Sequence, residues 1–233
     1  MTQAPHATLN VTAEFAALYP RCQPCSMVDV VKQYALYQGV CHVLAAGVPG
    51  AMVECGVWKG GCCMLMALTA QAQGAADRDI YLYDTFAGMS QPGAVDVSHT
   101  GAVATPQWQE KQTATHNQWC YAALEEVKQN LATTGYEEQR LHFVPGRVED
   151  TIPGTVPDKI AVLRLDTDWY ESTYHELVHL YPRLSANGIL ILDDFFYWQG
   201  QRKAVERYFS ERRIDMTFYH TTTGVIGTKP LAA

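Results

Sequence analysis

The sequence predicts an α/β fold: a mostly parallel central sheet with helices on both faces and an antiparallel hairpin at its end. Short apolar, β-favouring runs recur along the chain and alternate with amphipathic helical segments, the pattern of strands buried on both faces. The first run enters a glycine-rich turn and then a compact apolar helix. Four of the runs carry an acid at or near their carboxyl end, where open parallel sheets bind ligands.

The elements follow in order. Residues 1–26 hold Pro20 and Pro24 and little periodicity, which predicts an arm and a turn. From Met27, the apolar residues Val30, Val31, Tyr34, Ala35 and Leu36 recur at helical spacing. A second short helix is expected over Val40–Ala46, ended by Gly47 and Pro49. Ala51–Cys55 predicts the first strand, Gly56-Val57-Trp58-Lys59-Gly60-Gly61 a turn, and Cys62–Ala72 a helix. Further strands are predicted at Ile80–Tyr83, Leu141–Val144, Ile160–Leu165 and Ile189–Leu192, stopping at Asp84, Pro145, Asp166 and Asp193. Helices are predicted around Leu124, Val127 and Leu131, around Leu177, Leu180 and Leu184, and around Ala204, Val205 and Tyr208. Met216–Tyr219 and Val225–Gly227 suit a terminal hairpin. Gly88–Thr115 shows no period, and a loop of that length predicts a functional or mobile segment such as a substrate lid.

Composition limits the function. The chain has 233 residues, 48% hydrophobic and 18% charged, enough apolar surface for one large core and too much for a disordered chain. Lys and Arg number 17 against 24 Asp and Glu, a formal net charge of −7. Such a surface repels phosphate backbones and anionic lipid, so neither nucleic acid nor a membrane is expected as a partner. Seven cysteines lie scattered in core-like segments. With a polar Met1–Asn10 and no run of about 18 apolar residues, they predict reduced thiols and a cytoplasmic location.

The strand-end acids carry the chemistry. Gly56, Gly60 and Gly61 let the backbone approach a ligand closely; tight strand-to-helix packing explains them as well. The spacing is not the Gly-x-Gly-x-x-Gly of dinucleotide binding, which tells against a nicotinamide-dependent oxidoreductase. Asp84 suits the two hydroxyls of a ribose, or a helix cap. Asp166, Asp193 and Asp194 come to neighbouring strand tips through one crossover, and three carboxylates there suit a hard cation such as Mg2+. Asp168 reads as a helix cap. Cys22 and Cys25 have metal-ligand spacing without a second pair, and His175 and His179 share a helix face that reads as solvated. His99 and His116 fall in the irregular segment, within reach of a substrate or as ordinary loop polarity. Trp58, Trp169 and Tyr170 beside the acids read as core or as pocket lining.

With these residues in view, the chain resembles the macrocin O-methyltransferase family, metal-dependent sugar O-methyltransferases of natural-product biosynthesis. The resemblance rests on Val53-Glu54-Cys55-Gly56-Val57-Trp58-Lys59-Gly60-Gly61, Asp84-Thr85-Phe86-Ala87-Gly88, Gly146-Arg147-Val148-Glu149-Asp150, Leu163-Arg164-Leu165-Asp166-Thr167-Asp168-Trp169-Tyr170-Glu171-Ser172-Thr173 and Asp193-Asp194. It implies a Rossmann-like class I methyltransferase fold over residues 47–233, with residues 1–46 as an N-terminal arm and helices that act as a lid or as homodimer contacts. It further implies S-adenosylmethionine as cofactor, with Glu54, Gly56, Gly60 and Cys62 around its methionine part, Asp84 and Thr85 at the ribose and Val148 at the adenine. Asp166, Asp193 and Asp194 would hold Mg2+, and Asp166 would also act as general base, with Asp168 or His116 as alternatives. The family often has Ser or Ala where this chain has Cys62, and usually Gly where it has Thr167. The expected reaction is methyl transfer to a hydroxyl of a vicinal diol on a sugar, with a catechol-type aromatic diol as the alternative acceptor.

Overall fold

Where the sequence predicts an irregular arm, the chain forms a helix. The structure is a computed structural model that describes residues 9–231, so most of the polar Met1–Asn10 stretch and the start of the N-terminal arm lie outside the described residues. Helix α1 (Ala13–Cys22) begins at Thr12, whose hydroxyl accepts the Phe15 N–H, and carries Pro20 in its last turn. Only Phe15 and Cys22 of α1 are buried, too few contacts to print a helical stripe. The two helices expected next are one, α2 (Val30–Ala45), capped by Asp29, whose carboxylate accepts the Val31 and Lys32 N–H groups.

The α/β core follows: β1 (Ala51–Cys55), α3 (Gly61–Ala72), β2 (Ile80–Asp84), then α4 (Ala104–Glu110), α5 (Leu124–Ala132), β3 (Leu141–Pro145), α6 (Val148–Thr151), β4 (Ile160–Leu165), α7 (Tyr170–Leu180), β5 (Leu184–Leu192), α8 (Gln199–Arg212), β6 (Phe218–His220) and β7 (Val225–Thr228). The sheet order is β3-β2-β1-β4-β5-β7-β6, parallel through β5 and antiparallel for the last two strands. Strand alternation sends neighbouring residues to opposite cores. Met52, Leu82 and Val162 pack under α1, α2, α3 and α5, whereas Val53, Tyr83 and Leu163 pack under α7 and α8. Phe15, Leu36 and Val40 join the first of these cores, so the N-terminal helices and the sheet share one interior.

The chain leaves β1 toward β2 on one side, and β4 toward β5 on the other. That reversal opens a crevice at the carboxyl ends of β1 and β4. Gly56 follows β1 with φ +85°, and a side chain there would run into the Asp166 carbonyl.

The Gly88–Thr115 segment is folded against the body and is not a free flap. Asp96 is fully buried and accepts the N–H groups of Gly93 and Tyr170 at 2.7 and 2.8 Å. Trp108 and Trp169 donate their indole N–H groups to the carbonyls of Met89 and Ser90. Trp119, Trp169 and Trp198 form an aromatic cluster beneath it.

Candidate active site

Two adjoining cavities open at the crevice. The first, about 280 Å3, is lined by Gly56, Trp58, Asp84, Thr85, Val148 and the strand-end acids Asp166, Asp168, Asp193 and Asp194. The second, about 540 Å3, lies under the 88–117 segment and includes Trp108, His116, Asn117 and Trp169. Thr85, Gly88, Met89, Ser90, Arg147 and Glu149 belong to both.

The acids are held by a buried cation that the sequence reading missed. Arg164 stands beside Glu54 in the sheet register. Ile191 is its other neighbour, and Asp193, two residues further, leaves on the same face. The Arg164 guanidinium is 2% exposed and bonds Glu54, Asp166 at 2.9 Å and Asp193 at 2.5 Å. An arginine inside the apolar run Ile160–Leu165 was the available signal, because only a partnered charge is tolerated there. Lys32 of α2 adds a second cation. Its ammonium donates to Asp193 at 2.6 Å and Thr223 at 3.0 Å, and lies 3.6 Å from Asp194.

These partners divide the aspartates. Burial pushes the Asp193 carboxyl up, but Arg164 and Lys32 outweigh it and hold Asp193 below the usual range. Asp166, Asp168 and Asp194 instead place one oxygen each within 4.8 Å of one another. The expected trio of Asp166, Asp193 and Asp194 is therefore not the one brought together: Asp168 takes the place of Asp193. Asp168 is no helix cap. It has φ +67°, a left-handed conformation, and its buried Oδ1 has no hydrogen-bond partner. Burial, then the charges of Asp194 and Asp166, push its carboxyl well above the usual range. Burial likewise raises Asp166, against the pull of Arg164.

The expected cofactor residues separate into two groups. Gly56, Asp84, Thr85 and Val148 line the first cavity. Asp84 accepts the Val57, Trp58 and Phe86 N–H groups at 2.7, 3.0 and 2.8 Å, which pins the glycine turn to the end of β2. Burial raises Asp84 more than those bonds lower it. Glu54, Gly60 and Cys62 do not line the cavity. Glu54 is 1% exposed and bonds Arg164 and, at 2.7 Å, the Cys63 thiol. A side chain at Gly60 would meet Leu131 and Val127, which is the packing explanation of that glycine. The buried Cys62 sulfur faces the Ser26 hydroxyl at 3.9 Å.

The histidines fare variously. His116 stacks on Tyr121 and lines the second cavity. His99 packs against Tyr197. His175 hydrogen-bonds the Ile152 carbonyl at 2.8 Å and touches the His179 ring, a structural arrangement.

Strand order, switch-point crevice and acid-lined cavity together define a class I methyltransferase. Among solved structures, the O-methyltransferase NovP superposes with a TM-score of 0.78 at 29% identity, covering 89% of this chain and 83% of that one. The calicheamicin methyltransferase CalS11 superposes at 0.64 and 17% identity, covering 98% and 97%, a likeness of fold. Residues 15–225 match the model of the macrocin-O-methyltransferase (TylF) family, and the chain belongs to it. Relatives include demethyldecarbamoylnovobiocin O-methyltransferase of Streptomyces niveus, 34% identical over 78% of this chain and 67% of that protein. A tetracenomycin-C 4'-O-methyltransferase of Streptomyces olivaceus, named for a dimethoxy-rhamnosyl substrate, is 41% identical over 73% and 62%. Mycinamicin III 3''-O-methyltransferase of Micromonospora griseorubida is 32% identical over 78% and 69%. The alignments thus span about two thirds of these relatives. Membership makes the protein an O-methyltransferase and removes the nicotinamide-dependent alternative. Among the described residues, no helix is long and apolar enough to cross a membrane.

Proposed function

We propose that the protein transfers the methyl group of S-adenosylmethionine to a hydroxyl of a sugar carried on a natural product or glycan, with Mg2+ held by Asp166, Asp168 and Asp194. The observation that carries the metal is the carboxylate trio, with the buried Oδ1 of Asp168 lacking any partner. Three hard oxygen donors at one point, two of them raised by burial and then by the neighbouring carboxylates, fit a divalent cation. The sugar acceptor is supported by the names of the relatives and by the second cavity, whose Trp108 and Trp169 offer flat apolar faces beside polar groups.

When bound, the metal would supply Lewis acidity and a chelation point for two vicinal hydroxyls, and S-adenosylmethionine the methyl group. The chain's own residues do the rest. Gly56 would admit the cofactor close to the backbone, Asp84 and Thr85 would face its ribose, and Val148 its adenine. Glu54, Gly60 and Cys62 act from behind the turn by fixing Arg164, α5 and α3. Asp166 is steadied by Arg164 and serves as ligand. The general base we favour is Asp168, whose buried Oδ1 has no hydrogen-bond partner and is free to take a proton. Holding acceptor and donor in one crevice makes the transfer effectively intramolecular. Calorimetric titration with S-adenosylmethionine should show binding; none at high micromolar cofactor would sink the proposal.

A further inference from the structure

We infer that Thr167 and Glu176 are positioning residues: the hydrogen bond between them sets how strongly the Asp166–Asp168 turn holds a divalent cation. This rests on the metal site proposed above.

Glu176 lies on α7 and is fully buried, in line with Thr173, Leu177 and Leu180, which are equally inaccessible. No ion pair reaches it among the described residues. Its Oε1 accepts the Thr167 hydroxyl at 2.9 Å, and its Oε2 has no partner. A carboxyl buried with one hydroxyl bond and the Cys55 thiol as its other polar neighbour is costly, and an apolar side chain would suit the core better. What the acid gains is its contact with Thr167, the residue between two of the proposed ligands.

The turn is otherwise held by its backbone. The Thr167 carbonyl accepts the Trp169 N–H at 2.8 Å and the Ser172 hydroxyl at 3.4 Å, while Gly56 packs on the Asp166 carbonyl. Asp168 must keep its left-handed φ for its carboxylate to meet Asp194, which comes from the end of a different strand. The Thr167 side chain is the anchor from behind. Without it, the turn can relax toward ordinary φ values and carry Asp166 and Asp168 away from Asp194.

The test compares matched variants of the whole protein without cofactor, reading Mn2+ binding by calorimetry and by the paramagnetic resonance of free Mn2+. Thr167→Val keeps shape and removes the hydroxyl; Glu176→Leu removes the acceptor. Each should weaken Mn2+ binding about three- to tenfold, the range of one net hydrogen bond. Thr167→Ser and Glu176→Gln, which keep donor and acceptor, should stay within about twofold of wild type. The double variant Thr167→Val with Glu176→Leu should be no weaker than either single one. Should Glu176→Leu fail to fold, Thr167→Val alone decides. Variants that melt earlier but bind Mn2+ as wild type does would overturn the inference and leave the function standing. A wild type that takes up no Mn2+ would overturn both.

Discussion

Replacing Arg164 by methionine removes the one guanidinium that bonds Glu54, Asp166 and Asp193. Arg164 and Glu54 are almost inaccessible, at 2% and 1% exposed, so water cannot stand in. Leaving buried carboxylates without their partner costs about 3–5 kcal/mol, a large share of the roughly 5–15 kcal/mol that a domain has. For a chain of this size the melting temperature should fall by roughly 6–20 °C. The deficit should also depend on pH. In the wild type Asp193 lies below its unfolded value, so its contribution is present above that value and lost as pH falls through the folded one. In the variant, burial is opposed at Asp193 by Lys32 without Arg164, so Asp193 rises from its wild-type position, and Glu54 and Asp166 are carried further up than they already are. Stability is then lost as pH rises through those raised values. Thermal melts by circular dichroism should show a narrow gap between the two proteins at pH 5 and a wide one at pH 8. A gap under about 2 °C at pH 8, or one that widens toward acid, would refute the role of Arg164.

Other perturbations separate chemistry from scaffold. Asp168→Asn should lower turnover about 10^2- to 10^4-fold, the usual worth of a positioned base, with calorimetric cofactor affinity unchanged; a tenfold weaker cofactor would place Asp168 elsewhere in the scheme. Because Asp168 must lose its proton to accept a cation and its carboxyl is raised, Mg2+ affinity should rise with pH. Isotherms at pH 6 and pH 8 check this, and equal affinities would contradict it. Mg2+ should also raise the wild-type melting temperature, by an amount that grows with concentration and vanishes on chelation.

Much of the fold is legible because strands buried on both faces leave plain apolar runs, and each strand-end acid marks where the chain turns toward the crevice. The finer choice between adjacent acids is not legible. Strand alternation sends Asp193 to the face of Arg164, while a left-handed residue brings Asp168 to Asp166 and Asp194. Arg164 could have been found by asking what neutralises the acids. Lys32 could not, since nothing in the sequence says that α2 reaches the end of β5. The glycines illustrate the same limit: Gly56 faces the cavity, whereas Gly60, four residues on, makes room for Val127 and Leu131. α1 was hidden by Pro20, and Gly88–Thr115 by polar side chains with local partners, though Asp96 reaches far along the chain to Tyr170.

The most direct measurement is methyl transfer from labelled S-adenosylmethionine to a panel of glycosides, each paired with a deoxy analogue lacking one hydroxyl of a vicinal pair, with Mg2+ and with chelator. Metal-assisted transfer at Asp166, Asp168 and Asp194 predicts methylation of at least one intact glycoside, abolished by chelator and by loss of either hydroxyl. Transfer that proceeds undiminished in chelator, or equally to the deoxy analogue, would contradict it.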